Sequence, residues 1–579
     1  MKKLIITTLL LLPVVLRAQD TTYNESVLVQ GSYHPVIEKS EKLTFPPFIS
    51  DTIARVTHDF TYYITPVRLK SLYEPVRIKA ARIIGEPSTK LYNNYLRLGL
   101  GYYPSTLADL YWCSTRDRKK TYGVSLNHRF SWASIPDYGT SHFGNTGVTL
   151  FGKYIVKDKL QLSTSVDYEH DHNLYYGFTD DSLLARLDLT RDSISATDYR
   201  AKYNIATWNI GLRNMQLDAN KFGYAVNLRL SDLWASWNQN EFSLNLSGDL
   251  RYGFTIKRKH KGVAYLHAEW DGYKYQCNPD GMPLGYDPAL AVDSSRGSRN
   301  IVKVNPYADF MFSGLQFHVG ATAGWDAFSD PTATTFRLFP DVTVSKKFMS
   351  NALVLTLGAT GGIDANDWDA IRKLNPYVAP DAEQRATRHY DFMAHMRWTV
   401  SKKLEARAEV SYSLLNDDLT FTLDPSYTLQ NIYTPAYLDL NRLCIGGDVA
   451  FVNDEMLTIR GGAHYYSYSK VAYRAPQMAN MPLLYRPDWD LSLTANFNYN
   501  DKWLVQLESR LLGKMQGDLD TEMPLRYGID AQVEYRHNRA LSFFLRLDNL
   551  AFQRYYYWAN YPSPRGLALL GLTYTIPHK

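Results

Sequence analysis

Cysteine is scarce in this chain. Cys113, Cys277 and Cys444 are the three among 579 residues, far apart, odd in number and without metal-ligand spacing, so neither a disulfide framework nor a cysteine metal site is implied. They read as packing residues. Long apolar runs are also missing beyond the N-terminus, and mean hydropathy is -0.32, so the chain offers no helix able to span a bilayer. A large excess of one charge is absent: the formal net charge is +5, and setting aside Lys2, Lys3 and Arg17 leaves about +2, which gives no reason to expect nucleic acid. No glycine-rich phosphate loop, nucleophile elbow or paired-carboxylate motif stands out. No enzyme activity, cofactor or metal is therefore expected.

What is abundant is aromatic surface and alternation. Tyr, Phe and Trp number 44, 24 and 12, or 14% of the chain, which suits a barrel with aromatic girdles at both membrane interfaces. The chain opens Met1-Lys2-Lys3, runs apolar from Leu4 to Leu16 and reaches Ala18 before Gln19-Asp20. A charged start, an apolar stretch and a small residue at the cut predict a signal peptide over 1–18, removed on export. Residues 19–92 alternate poorly and carry Pro35, Pro46, Pro47, Pro66, Pro75 and Pro87, with Arg68, Lys70, Arg77, Lys79, Arg82 and Lys90 set against Glu74 and Glu86. This reads as a basic, extended segment in the periplasm or in the lumen of a barrel, or as a solvated lead-in.

From residue 93 to 579 a period of two takes over. Leu160, Leu162, Val166 and Tyr168 share one face of their segment, and so do Phe242, Leu244, Leu246, Leu250 and Tyr252. Leu404, Ala406, Ala408, Val410 and Tyr412 repeat the pattern, as do Trp489, Leu491, Leu493, Ala495, Phe497 and Tyr499. Alternate residues lie on opposite faces of a strand, and about ten residues let a tilted strand cross a bilayer. The final stretch does the same, with Phe544 as the one apolar residue out of phase between Leu541 and Leu547.

Connections give an independent check. Tight charged turns are expected at Asp117-Arg118-Lys119-Lys120, Lys157-Asp158-Lys159, residues 257–261, Ser345-Lys346-Lys347, Ser401-Lys402-Lys403, Asn453-Asp454-Glu455, Asn500-Asp501-Lys502 and His537-Asn538-Arg539. Between them fall long connections near 131–143, 173–197, 274–298, 364–386, 416–436, 469–487, 514–526 and 551–564. A secreted sandwich has no reason to alternate short and long in this way, whereas a closed sheet with one end on each side of a membrane does. The expected fold is all-β: a transmembrane antiparallel β-barrel of about 22 strands (range roughly 16–22), with short periplasmic turns, long extracellular loops and both ends of the barrel chain on the periplasmic side.

The closing segment Asn549-Leu550, Tyr555-Tyr556-Tyr557-Trp558, Tyr561-Pro562-Ser563-Pro564-Arg565-Gly566 and Gly571-Leu572-Thr573-Tyr574-Thr575-Ile576 resembles the end of the barrel of TonB-dependent receptors. The resemblance implies 22 strands and solute uptake across the outer membrane. Gly571, Tyr574 and Ile576 resemble the C-terminal signal read by the outer-membrane barrel-assembly machinery, although Pro577-His578-Lys579 runs past the usual aromatic end. Glu25-Ser26-Val27-Leu28-Val29 resembles a TonB box, which would make an energy-coupling periplasmic protein a partner. The departure is in front of the barrel: the family carries a plug domain of well over a hundred residues, and here about 70 residues separate Gln19 from the first strand. The alternative function is a non-transporting barrel that docks a surface lipoprotein or belongs to an outer-membrane assembly complex, with 19–92 occluding its lumen. In either case the barrel's solvent is outer-membrane lipid.

Four local features remain. Glu169-His170-Asp171-His172 offers two imidazoles and two carboxylates, but on opposite faces of one strand, where they cannot easily converge on one ion. Asn278-Pro279-Asp280-Gly281 has the residue types of a calcium loop without EF-hand spacing and reads as a turn. Glu405, Arg407, Glu409, Asp490, Asn496, Asp530, Glu534, Arg536, Arg546 and Asp548 should face the lumen, and their mixed signs predict cross-strand bracing rather than ion selectivity. Loop residues Tyr175, Tyr176, Tyr286, Tyr427, Tyr433, Asp180 and Asp181 suit either contacts with sugars or a surface partner, or the folding of the loops over the mouth.

Overall fold

A strand whose two faces differ in polarity must meet a different medium on each side, and within a bilayer it must also leave no edge unpaired. In the computed structural model the described residues are 93–576, less 115–116, 118, 133, 137, 139, 178–198, 216–220, 257–259, 279–281, 288–295, 329–334, 455 and 519–520. The leader, the segment up to residue 92 and Glu25, Ser26, Val27, Leu28 and Val29 lie outside them. The described chain forms one 22-stranded sheet in which each strand pairs antiparallel with its neighbour in sequence. The first strand, Asn94–Gly101, pairs antiparallel with the last, Leu567–Tyr574, with Leu96 opposite Tyr574 and Gly99 opposite Gly571. The sheet is therefore closed, and the strand number agrees with the expectation.

The outside is apolar. Leu162, Val166, Tyr168, Phe242, Leu246, Leu250, Leu491, Leu493 and Phe497 are all exposed, a continuous greasy surface that water would not tolerate and lipid does. Tyr122, Tyr154, Tyr252, Trp398, Tyr499 and Trp503 ring the short-turn end, and Trp132, Trp234, Trp325, Phe336 and Tyr527 ring the other, all exposed. These are the two interfacial girdles. The inside is polar and braced across strands. Lys303 Nζ reaches Glu269 at 2.8 Å and Asp271 at 3.4 Å. His318 lies between Asp309 at 2.7 Å and Asp341 at 3.1 Å, and His464 lies between Glu409 at 3.7 Å and Asp490 at 3.5 Å. Opposite charges on one face of the sheet thus hold the wall, as the mixed signs predicted.

Where boundaries differ from expectation, the cause is local. Ser345-Lys346-Lys347 is not a turn but the end of the strand Thr335–Phe348. The chain reverses at Met349, Ser350 and Asn351, whose φ angles of 49°, 54° and 75° are left-handed. The loop expected at 416–436 is much shorter, because the strands Leu404–Leu423 and Tyr433–Asn453 continue past the membrane. A β-bulge between Leu415 and Asp418 lets the polar run Asn416-Asp417-Asp418 stay in the sheet while breaking the alternation that marks a strand. Two outward connections, at 102–104 and 236–239, are as short as turns.

Phe544, out of phase in sequence, has a structural reason. Its ring points inward at the seam, 1% exposed, opposite Gly571, with the Arg97 guanidinium 4.1 Å from its centroid. A Cβ on Gly571 would sit 2.4 Å from Phe544 Cζ and 2.2 Å from the Leu98 carbonyl. The glycine makes room for the ring that packs across the closing strands.

Two outcomes are expected. Gly571→Val should weaken closure by about 1–3 kcal/mol, seen as loss of the compact, heat-modifiable band on electrophoresis at a lower temperature than for the parent. Leu246→Arg, on the lipid face, should cost about 2–4 kcal/mol in urea unfolding in bilayers, whereas Ser247→Arg, next along the strand and opposite Glu269, should be nearly neutral. Equal effects at the two positions would contradict the assignment of faces.

Candidate functional site: the closed outer mouth

The long connections emerge at one end, and the described residues of several of them share a hydrophobic core. Leu174, Tyr175, Tyr199, Tyr203, Tyr275, Trp368, Ile371, Val378, Tyr427, Ile432, Tyr433 and Tyr561, from several loops and strand ends, are buried against each other. Burying a tyrosine requires a partner for its hydroxyl, and these hydroxyls tie loop to loop. Tyr175 Oη donates to the Val378 carbonyl at 2.8 Å, Tyr433 Oη to that of Ala559 at 2.6 Å and Tyr176 Oη to that of Pro562 at 3.0 Å. Tyr377 stacks on Tyr561 with ring centroids 3.5 Å apart. The loop tyrosines are thus spent on folding the loops over the mouth: Tyr175, Tyr176, Tyr427 and Tyr433 are buried, and Tyr286 packs half-buried on Tyr427. Asp180 and Asp181 lie outside the described residues.

One connection goes inward. Between the strands Leu353–Asp364 and Thr387–Ser401, residues 365–386 carry a short helix, Trp368–Leu374, capped by Asp367, whose carboxylate accepts from the Ala370 amide at 2.8 Å. The helix docks on the inner face of distant strands. The Trp368 amide donates to both oxygens of Glu241 at 3.2 Å, and Gln384 Nε2 donates to the same carboxylate at 2.9 Å. Arg372 is 3% exposed and reaches Asp171 at 2.9 Å, Glu169 at 3.5 Å and Asp369 of its own helix at 2.6 Å. Its guanidinium lies 5.3 Å from the centre of the Tyr203 ring.

Beside this loop, at the seam, is a cavity of about 400 Å³ lined from both wall and loops by Arg129, His142, Tyr176, Tyr377, Asp530, Arg546, Asp548, Tyr555 and Tyr557. Its volume is in the range of small-molecule sites. Its charges are largely internal pairs: Arg546 is on Asp548, and Arg129 approaches the same carboxylate at 3.7 Å. Arg526 lies between Tyr555 and Tyr557, 4.3 Å and 4.5 Å from their centroids. Burial, with Arg200 nearby, lowers the basicity of His142. A cavity of rings and neutralised ion pairs suits a polar organic solute better than a bare ion.

The Glu169-His170-Asp171-His172 run resolves into two structural roles. Its carboxylates hold Arg372, while His170 bonds Asn204 at 2.8 Å and His172 packs on Phe130 with centroids 5.0 Å apart. Among the described residues no group of three or more His, Cys, Asp or Glu is placed to hold a metal. Residues 279–281 of the calcium-like run lie outside the described residues. Cys277 and Cys444 are buried, Cys113 is half-buried, and all three are free. Gly571, Tyr574 and Ile576 sit at the seam, where Ile576 N donates to Asn94 Oδ1 at 2.8 Å. Arg372, Trp368 and Glu241 were missed by sequence reasoning. The available signal was the helical cap Asp367 followed by Asp369 and then Arg372-Lys373, acid first and base last within a loop.

No protein-family profile matches the chain, and no curated protein does. Solved structures do. The siderophore receptor PirA from Acinetobacter baumannii superposes with a TM-score of 0.63 at 10% identity, over 84% of this chain and 81% of that one. A mutant of the ferric enterobactin receptor PfeA from Pseudomonas aeruginosa, in complex with enterobactin, gives 0.61 at 12%, over 84% and 82%. The ferric-catecholate import receptor Fiu from E. coli K12 gives 0.60 at 11%, over 84% and 82%. The chain has the barrel fold of TonB-dependent receptors. In this barrel the described residues of several outer loops meet over the mouth in a core rich in tyrosine.

One pair of acids inside the lid titrates unusually. Burial, and secondarily the neighbouring Asp424, push the Asp381 carboxyl up to about 6, and burial raises Asp424 as well. Tyr275, Cys277 and Tyr427 are among the titratable groups against Asp381, and these three stay neutral at pH 7. Because the folded value exceeds the unfolded one of about 4, ionising Asp381 opposes the closed lid. The cost is absent below about pH 4, grows between pH 4 and 6 and is complete above pH 6. Asp381→Asn should therefore stabilise the protein at pH 7.5 by about 1–2 kcal/mol, with the gain vanishing at pH 4 in paired melting curves.

Proposed function

We propose that this barrel takes up a polar organic solute across the outer membrane, capturing it in the seam cavity under the loops. The observation that carries the reading is that cavity: about 400 Å³, walled jointly by lumen strands and outer loops, inside a closed 22-strand barrel. The barrel likeness to an import receptor and to a receptor structure solved with enterobactin supports it. A wide barrel cannot stand open at low cost to a cell, so passage must be gated. In this reading residues 1–18 are a removed leader, 19–92 are a periplasmic or lumenal extension, and Glu25, Ser26, Val27, Leu28 and Val29 engage an energy-coupling protein. Gly571, Tyr574 and Ile576 are what the barrel-assembly machinery reads. No catalytic step is assigned.

The purified full-length protein should be silent in a planar bilayer, and it should retain a small molecule detectable by mass spectrometry after extraction. Arg546→Ala and Tyr557→Ala should reduce that retention by roughly tenfold, the effect of losing about 1.4 kcal/mol. Large steady conductance steps from the parent would mean an open pore and end the gated-uptake reading. A silent barrel that retains nothing would favour a scaffold.

A further inference from the structure

The inward loop has the construction of a gate. Its roots join adjacent strands, yet Arg372 bonds the strand Leu160–Leu174 and the Trp368 amide bonds the strand Asn240–Ile256, several strands away round the wall. The loop therefore reaches across the lumen. Tyr377, further along, stacks on Tyr561 of the connection that precedes the last strand. Its two ends are tied together: Asn366 Nδ2 donates to the Arg385 carbonyl at 2.9 Å and to Thr387 Oγ1 at 2.8 Å. Asn366 itself turns the chain with a left-handed φ of 49°. Such a loop can move as one piece about its roots.

We propose that residues 365–386 form an outer gate across the barrel, and that Arg372 is its latch, closed on Glu169 and Asp171. The charge balance points the same way. Arg372 is the cation that lets Glu169 and Asp171 of the wall and Asp369 of the helix share one buried place, with Lys373 reaching only Asp369, at 2.7 Å. Without the guanidinium the wall and the helix present carboxylates to each other and repel. Closure also has a standing cost. Trp368 Nε1, Arg372 Nε and Asn375 Nδ2, all on this loop, are buried without a hydrogen-bond partner among the described residues, and opening returns them to water. A tightly paired latch set against that cost makes a two-state element.

The inference rests on a barrel whose mouth must open, and its test reads the mouth alone. Leu374, at the end of the helix and exposed, is replaced by cysteine in the full-length protein. Its reaction with a polymer-linked maleimide too bulky to pass the closed loops is followed from outside intact cells, against the parent chain as background for the native cysteines. Arg372→Ala should speed labelling at least roughly tenfold. Glu169→Gln with Asp171→Asn should move it the same way but less, since no wall carboxylate is then left to repel Asp369 of the helix. Arg486→Ala, which breaks a pair with Asp418 at 2.8 Å and none of the bonds named for residues 365–386, should leave it unchanged. Each variant is first shown to keep the heat-modifiable barrel band. An unchanged rate in Arg372→Ala, or an equal rise in Arg486→Ala, overturns the latch. Faster labelling in a protein that neither conducts nor retains solute would uphold the latch and count against uptake.

Discussion

Everything in this protein depends on closing a sheet in a medium that offers no hydrogen bonds. In a bilayer an unpaired strand edge leaves its amides and carbonyls without partners at several kcal/mol each, so the first strand must find the last. It does so across Gly99 and Gly571, with Phe544 laid over the join and Arg97 over Phe544. The apolar outer face results from the same circumstance. Once the backbone is satisfied, lipid asks of the side chains only that they be greasy at mid-depth and aromatic at the two interfaces.

Closure at this strand number creates a second problem, which the rest of the structure answers. A lumen this wide is not filled by its own wall side chains. The wall residues instead neutralise each other in pairs such as Lys303 with Glu269 and Asp271, leaving a polar surface without a strong net field. The outer loops supply what the wall cannot. They bury a core of tyrosines above the lumen and send one helix down into it. The loop core is held by hydroxyl-to-carbonyl bonds among loops, so it is cooperative: moving one loop exposes the tyrosines of several.

The inward helix and the seam cavity lie in the same mouth and share Tyr377, which lines the cavity and belongs to the inward loop. Movement of that loop therefore alters the cavity wall. In the proposed uptake, capture of a solute and release of the latch would be connected through Tyr377 and its stack on Tyr561.

Period two in segments such as Leu160–Tyr168 and Trp489–Tyr499, together with short charged turns alternating with long connections, was enough by itself to indicate a membrane barrel of about this size and the face on which the residues of those segments lie. Lipid outside and water inside impose a rule on every second residue, and such a rule is written locally. Strand ends were less legible where Asn416-Asp417-Asp418 interrupts the alternation but stays in the sheet through a bulge. The loops were opaque in another sense. Nothing near Tyr175, Trp368 or Arg372 says that they meet, because Arg372 and Asp171 are two hundred and one residues apart in sequence and are brought together only by the curvature of the closed wall. The fold belonged to the sequence; the mouth, its cavity and its latch were decided by tertiary structure, since they are made of contacts across the lumen that no local periodicity can encode.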